Sequence, residues 1–394
     1  MRVVYFALIF FSSTVHSQGT WDPRASIPAA GRQSAFAFEV GGFGYIGTGN
    51  YAPGPVYLSD MWSYNPSANA WIQKASYPVV VSRAVATVVN GIAYVGTGYV
   101  NGTNVNSWYS YDPVADQWTP KASFPGTARQ DAIAVSLNGK VYVGGGVFST
   151  NPNVFQDFWE YNPTTNTWVQ KGNLPSPRAF ATEFVINNKA YMVGGTLGPG
   201  SFTNQVHEYD PASDTWTPKA PFPITANELT SFAINGKGYV GLGSSGGIQQ
   251  TQWYEYDPVL DQWQQVASFA ATSRVQTTGF SIGNAGYVAT GRDPGGNYLN
   301  DFWRFTPPNP TGIQEAHEST IKIVPNPATD LIRIQSDIVY NEIRLFDLQG
   351  RMLLMRQGAF ESETVIDVSD ITSGTYFLLI SGSTGSHTLK VVLE

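Results

Sequence analysis

Short runs in which small or apolar residues alternate with polar ones fill most of the chain, a period of two that is typical of strands. The runs recur in one order. A small-residue run ends at a turn pair such as Asn90-Gly91, a Tyr-led run follows and ends in glycines, and two aromatic runs complete the group. Because Asn-Gly pairs join adjacent antiparallel strands, each group predicts four short strands in antiparallel order.

An octet of the type YDPVADQW, residues 111–118, joins the last two strands of a group. Asp-Pro starts a turn, and the second Asx residue stabilises the reversal of the chain. We interpret repeated carboxylates such as Asp112 and Asp116 as turn-forming groups, because a catalytic pair is needed only once. The repeat Trp residues lie about 50 residues apart, at positions 21, 71, 118, 168, 216 and 263. Four-stranded units of this length in series predict an all-β fold, the β-propeller.

The two ends of the repeat are incomplete in complementary ways. A sixth copy of the octet begins at Phe305 and lacks its Trp, whereas the segment Trp21 to Ala25 has no unit before it. We therefore predict six blades over residues 18–306, with residues 21–25 as the outer strand of the last blade. Pairing of this kind protects strand edges that an open stack would expose.

The glycine doublet after an aromatic strand, the Tyr-Asp-Pro and the spaced Trp together resemble kelch repeats over all six units. Four units replace the doublet by Gly-Thr-Gly, Gly-Leu-Gly or Ala-Thr-Gly, and the fifth has Asn227 where others have Arg. Some kelch propellers are copper galactose oxidases, which need a Cys-crosslinked Tyr and two His. This chain has no Cys, and His207, interpreted as a packing residue, is the only His of the predicted propeller. We therefore exclude that enzyme and expect neither a metal nor another cofactor.

The C-terminal part differs in composition. Residues 307–319 form a Pro-rich, then polar linker, and seven short alternating runs in residues 320–394 predict a small immunoglobulin-like β-sandwich. The stretches VPNPATDLIRI, LFDLQGRML and the closing KVVLE resemble the C-terminal sorting domain of type IX secretion substrates. The resemblance implies a Bacteroidota bacterium, contact with the secretion machinery, and a secreted or surface-attached protein. An ordinary immunoglobulin-like binding module is the alternative.

The N-terminus carries an export signal. Arg2 precedes an apolar run from Val3 to Phe11, and small residues precede Gln18, so residues 1–17 are interpreted as a signal peptide. This run is too short to span a bilayer and no other segment is long and apolar enough, so the mature chain is expected to have no transmembrane segment. The net charge of −7 gives no electrostatic case for nucleic acid.

Arginines precede most of the small-residue runs, which should form the innermost strands around the axis. Guanidiniums gathered at one mouth would favour an anionic ligand, such as an acidic glycan or an acidic peptide of a protein. The alternative is that these arginines are a kelch feature that bonds neighbouring loops. The predicted ligand-binding set is Arg32, Arg83, Arg129, Arg178, Asn227 and Arg274.

Two classes of function are compatible with these features. The first is a binding module that holds a glycan or a protein segment in its axial mouth. The second is a sugar epimerase of the sialic-acid mutarotase kind, which similar six-bladed kelch proteins include. That chemistry needs a carboxylate base beside cationic groups near the axis. Glu228 is the one candidate catalytic residue, and a solvated loop acid is its alternative interpretation.

Overall fold

The structure is a computed structural model that describes residues 18–148, 153–308, 322–336, 340–347, 351–360, 363–382 and 385–394. It divides into two compact units, residues 1–309 and 310–394. The predicted signal peptide and most of the predicted linker lie outside the described residues. Within the described ranges, no helix is long and apolar enough to cross a membrane.

Short antiparallel strands make up the first unit. In chain order, the first sixteen are β1 (Thr20–Arg24), β2 (Phe36–Val40), β3 (Phe43–Gly47), β4 (Asn50–Tyr51), β5 (Val56–Tyr57), β6 (Met61–Asn65), β7 (Ala70–Lys74), β8 (Val85–Val89), β9 (Ile92–Gly96), β10 (Tyr99–Val100), β11 (Thr103–Asn104), β12 (Trp108–Asp112), β13 (Gln117–Pro120), β14 (Ile133–Leu137), β15 (Lys140–Gly144) and β16 (Phe158–Asn162). The others are β17 (Thr167–Lys171), β18 (Thr182–Ile186), β19 (Lys189–Val193), β20 (Thr196–Gly198), β21 (Ser201–Phe202), β22 (Val206–Asp210), β23 (Thr215–Lys219), β24 (Thr230–Ile234), β25 (Lys237–Gly241), β26 (Ser244–Ser245), β27 (Ile248–Gln249), β28 (Trp253–Asp257), β29 (Gln262–Val266), β30 (Thr278–Ile282), β31 (Ala285–Ala289) and β32 (Phe302–Thr306).

Six four-stranded sheets, here called blades, form from these strands. From the innermost strand outward they are β2-β3-β6-β7, β8-β9-β12-β13, β14-β15-β16-β17, β18-β19-β22-β23, β24-β25-β28-β29 and β30-β31-β32-β1, numbered blades 1 to 6. Each innermost strand contacts the innermost strands of both neighbouring blades, and β30 contacts β2. The blades therefore form a closed ring, which confirms the predicted all-β six-bladed propeller.

The N-terminal strand belongs to the last blade. β1 pairs with β32, and Trp21 lies opposite Phe305. The Trp21 ring packs 4.9 Å from the ring of Phe305 and 5.1 Å from that of Trp253 in blade 5. Its indole N–H donates to the carbonyl of Ala267, which follows the outer strand of blade 5. One Trp thus completes blade 6 and ties it to its neighbour.

The octet connects neighbouring blades through hydrogen bonds. In blade 2 the hydroxyl of Tyr111 donates to Asp116 at 2.6 Å, and the same carboxylate oxygen accepts the backbone N–H of Ala75 at 2.9 Å. The Trp118 indole donates in turn to the Ala75 carbonyl. Asp112 accepts a turn N–H from Val114. These carboxylates therefore hold turns and neighbouring blades, and the Asn or Asp of the octet makes equivalent contacts in blades 1 to 5.

The second glycine of each doublet contacts the next blade through its backbone. Its N–H donates to a carbonyl of the next blade, as Gly195 does to Ala226 at 2.9 Å and Gly291 does to Arg32 at 2.8 Å across the closure. At Gly195 φ is +93°, and a Cβ would lie 2.6 Å from the carbonyl oxygen of Ala179. In four blades the position before it is Thr48, Thr97, Leu242 or Thr290, each with a positive φ.

The second unit is a separate β-sandwich. Its strands are β33 (Lys322–Val324), β34 (Leu331–Gln335), β35 (Tyr340–Phe346), β36 (Met352–Phe360), β37 (Glu363–Asp367), β38 (Gly374–Gly382) and β39 (Gly385–Leu393). They form the sheets β33-β34-β37 and β36-β35-β38-β39. Fully buried residues from both sheets, including Ile332, Ile343 and Leu378, form one apolar core. Two sheets around one core confirm the predicted small sandwich.

Candidate functional site

One residue from each blade surrounds the axial opening immediately before the innermost strands. These six residues, here called the mouth ring, all have a left-handed backbone, with φ between 52° and 60°, and are Ser34, Arg83, Asp131, Phe180, Glu228 and Gln276. They line a cavity of about 140 Å³. Such a conformation is unfavourable for residues other than glycine, so its repetition requires support from the surrounding structure.

Backbone hydrogen bonds supply that support. The N–H of Arg83 donates to the carbonyl of Ser34, and the N–H of Glu228 donates to the carbonyl of Phe180. The N–H of Ser34 donates to Gln276 across the ring closure. The mouth ring is thus a linked set of residues whose side chains are presented to one opening by a fixed backbone.

Five side chains of the mouth ring form one pair and one hydrogen-bonded chain of three. Arg83 donates from Nη1 to both oxygens of Asp131, at 3.0 and 2.8 Å. Gln276 donates from Nε2 to Glu228 at 2.7 Å and accepts the hydroxyl of Ser34 at 3.1 Å. The guanidinium of Arg83 also lies 5.6 Å from the ring centre of Phe180. The opening therefore combines one cation, two carboxyl groups, an amide, a hydroxyl and an aromatic face.

Burial and charge set the protonation of this ring. Burial raises the pKa of the Asp131 carboxyl to about 6, although the charge of Arg83 acts in the opposite direction. Burial alone would lower the pKa of Arg83, but the charges of Asp131 and Glu228 outweigh it, so the pKa is raised. Arg83 thus stays a cation, and Asp131 can exchange a proton near neutral pH.

Four of the predicted arginines lie away from the mouth. Arg32, Arg129, Arg178 and Arg274 are each only 1% exposed. In blade 3 the guanidinium of Arg129 donates to both oxygens of Asp157, at 2.6 and 2.8 Å, and to the carbonyl of Gly145. Arg32 pairs with Asp60 in the same way, and Arg274 with Asp301. The structure therefore does not gather five guanidiniums, and these four are occupied inside their own blades.

Arg83 differs from the other four arginines because it lies two residues closer to the innermost strand of its blade. The position of Arg32 and Arg129 is taken by Val81 in blade 2, so Arg83 occupies the mouth position instead. Spacing in the sequence carries this signal, because Arg83 directly precedes its small residue, Ala84, whereas each buried Arg lies three residues before the equivalent one.

Blade 5 contains two adjacent residues of the predicted site, Asn227 and Glu228, and only Glu228 lines the mouth cavity. Asn227 forms a backbone bridge to Ser244, and it does not line the mouth cavity. Glu228, one residue later, is a member of the mouth ring. Sequence reasoning missed Ser34, Asp131, Phe180 and Gln276, since no repeat marks them; the φ values above reveal them.

Blade 4 has an incomplete version of the buried pair. Gln205 stands where blades 1, 3 and 6 have Asp, and it accepts from Arg178 at 3.0 Å. Burial lowers the pKa of Arg178 to about 10. Burial and the nearby charge of Arg178 lower the pKa of His207 to about 4, so this His is neutral at physiological pH. His207 is 9% exposed and faces Met192 on β19, in the packing position that Trp159 has in blade 3.

Tyrosines lie on one side of the opening. Tyr57 and Tyr99, from the short hairpins of blades 1 and 2, have ring centres 6.0 Å apart. Burial raises the pKa of Tyr57, while the charge of Arg83 acts against it, so this ring lies near the mouth cation. Tyr51 and Tyr298 line a further groove of about 520 Å³ between blades 1 and 6. Among the described residues, no group of three or more His, Asp and Glu could hold a metal ion.

Fold and mouth together define a six-bladed β-propeller with a polar axial site. Comparison with known families then identifies its repeats: the family described as KLHDC2/KLHL20/DRC7 Kelch-repeats domain matches residues 26–195, and the Kelch motif matches residues 177–223. The family described as secretion system C-terminal sorting domain matches residues 322–394. The chain is therefore a kelch-repeat propeller followed by a sorting domain, as predicted.

Similar proteins include N-acetylneuraminate epimerases. Those of Shigella flexneri and of Escherichia coli strain K12 are each 36% identical to this chain over 124 residues, which is 30% of this chain. The match spans 33% of the length of those relatives. A solved structure titled "Structure of YjhT" aligns with a TM-score of 0.61 and 17% identity, covering 70% of this chain and 95% of that one. This last likeness shows the fold alone.

Proposed function

We propose that the protein is a propeller exported from the cell that binds a glycan at its axial mouth. The mouth ring carries this proposal, because it brings a carboxylate, an amide, a hydroxyl and the face of Phe180 to one cavity. Pockets that orient small ligands combine apolar or aromatic walls with a few placed polar groups. Sugars present both hydroxyl groups and an apolar ring face, so they fit this combination.

The charges of the ring favour a neutral glycan over the anionic ligand expected from the sequence. Arg83 is the only cation of the ring, and it is already paired with Asp131. Glu228 adds a second carboxylate to the cavity lining. An acidic ligand would have to approach these two carboxyl groups, and like charges repel at short range. The tyrosines of blades 1, 2 and 6 could contact further sugar units.

We expect the mature protein to retain neutral oligosaccharides on a glycan array, and Phe180→Ala to weaken this binding about tenfold, which corresponds to about 1.4 kcal/mol. The loss of one aromatic contact surface supports this size. Asp112→Asn, in an outer turn, is the matched control and should bind as the wild type does. Retention of sulfated or sialylated glycans alone would contradict the proposal, as would unchanged binding by Phe180→Ala with normal melting.

Sugar epimerisation is the second candidate, because similar proteins include N-acetylneuraminate epimerases. Glu228 would act as the base, and Asp131, with its pKa of about 6, as a proton donor near neutral pH. We expect an anomerisation assay with N-acetylneuraminate to show activity that Glu228→Gln lowers at least about a hundredfold. Wild-type protein that binds glycans but leaves the anomer ratio at its uncatalysed rate would exclude this candidate.

Export through the sorting domain is part of the proposal, and the match over residues 322–394 supports it. We expect a chain truncated before residue 322 to melt as the full chain does and to stay in the periplasm, because the segment read by the secretion machinery is gone. Cell fractionation with an antibody against the propeller measures this. Truncated protein at the surface or in the medium would contradict it.

A further inference from the structure

An axial channel of about 440 Å³ runs between the innermost strands. It shares Ala35, Ala84 and Leu229 with the lining of the mouth cavity, so the two are continuous. One position of each innermost strand, the second from its start, lies at the same level of this channel. The six residues at that level are Ala37, Ala86, Ala134, Glu183, Ser231 and Gly279.

Glu183 is the exception at this level, since the other five residues are small. Its carboxylate accepts one long hydrogen bond, at 3.3 Å, from the N–H of Ala134 on β14. The hydroxyl of Ser231 donates to the Glu183 carbonyl at 2.6 Å. The described residues that line the channel include no Lys, Arg or His. Glu183 therefore lies in a narrow cavity without a counter-charge.

We propose that the axial channel binds the primary ammonium group of a narrow, linear amine, held against the Glu183 carboxylate. An ammonium group has three donors on a compact head, and the channel offers it a charged acceptor with a hydroxyl, that of Ser231, beside it. The small residues of the other blades leave space for an aliphatic chain. A carboxylate in this position would repel an anion, so the channel is not expected to bind anionic ligands.

The protonation of Glu183 gives the site a pH dependence. Burial raises the pKa of Glu183 to about 8, so the free site is mostly neutral at pH 7. An ammonium ion needs the carboxylate, so binding at pH 7 releases a proton, and affinity rises between pH 6 and pH 9. The flanking strands β14 and β24 carry no titratable group; Glu39 of β2 faces the same channel, and Arg83, Asp131 and Glu228 lie at its mouth.

Glu39 provides a matched control. It lines the same channel, but its carboxylate accepts the N–H of Gly42 at 2.6 Å in the turn that follows its strand. Glu39→Gln therefore replaces a channel carboxyl by an amide, as Glu183→Gln does, without altering the acceptor that we assign to the amine.

Calorimetry on the full mature chain with n-pentylamine tests the site. We expect binding that is at least tenfold weaker in Glu183→Gln, changed less than twofold in Glu39→Gln, and absent with 1-pentanol. Heats in two buffers of different ionisation enthalpy should show about one proton released at pH 7. Equal binding of 1-pentanol, an equal loss in both variants, or full binding by Glu183→Gln would each overturn the proposal. The glycan array does not use this site, so either proposal can fail alone.

Discussion

Asp157→Ala should lower the free energy of unfolding by about 3–5 kcal/mol, because it leaves a buried guanidinium without its counter-charge. Arg129 is 1% exposed and gives two of its hydrogen bonds to Asp157. Chemical denaturation of the full mature chain, followed by Trp fluorescence, measures the change.

Gln205→Ala is the matched control for that substitution. Gln205 accepts from the buried Arg178 in blade 4 as Asp157 does in blade 3, but it is neutral. Loss of a neutral acceptor to a charged donor should cost about 1.5–3 kcal/mol, so the excess at Asp157 measures the counter-charge. Equal losses in both variants would contradict the assignment of an ion-pair contribution.

The pH dependence of the free energy of unfolding tests the Arg129–Asp157 ion pair independently. Burial by itself would raise the pKa of Asp157, but hydrogen bonds and the charge of Arg129 outweigh it, so the folded-state pKa lies below its ordinary value. A depressed carboxyl pKa contributes stability that is present above the ordinary pKa and is lost as pH falls through the folded value. The gap between wild type and Asp157→Ala should therefore narrow below about pH 4.

The propeller could be predicted from the sequence because every blade packs against its neighbours in the same way. Each blade needs a turn, a close glycine and a Trp at its neighbour's loop, so those residues recur with a constant spacing. Gly195 and Trp118 are required by contacts that repeat in other blades. Contacts that recur from blade to blade require the same residues in each repeat, so a single chain shows the pattern several times.

The site was less predictable, because its residues differ from blade to blade. Repetition placed Arg83 in one set with Arg32 and Arg129, although it lies two positions further on. Only the backbone conformation groups it with Asp131 and Phe180. Residues that repeat hold the ring together here, and residues that do not repeat line the mouth.

Glu183 illustrates the same division. Its strand has the ordinary alternation of an innermost strand, and nothing in its neighbours marks it. Aligning the six units on their Tyr-led strands would place it opposite small residues such as Ala86 and Gly279. The departure from a small residue, rather than a motif, is the signal that the sequence contains.

Deletion of residues 19–26 should prevent the propeller from closing, with the largest loss of stability of any change considered. Without β1, the edge of β32 is unpaired, and the rings of Phe305 and Trp253 lose their contact with Trp21. Removal of one buried Trp side chain alone costs about 3–5 kcal/mol, and an exposed strand edge promotes association between chains. We expect the deleted protein to elute as aggregates in gel filtration.

A peptide added in trans separates closure from a general loss of folding. A synthetic peptide of residues 18–27 should restore a monomeric species to the deleted protein, because it can pair with β32 in the register in which Trp21 lies opposite Phe305. The same peptide with Trp21→Ala is the matched control and should restore little, since the indole contacts blade 5 and donates to Ala267. A deleted protein that stays monomeric and melts as the wild type does would show that β1 is not needed to close the ring.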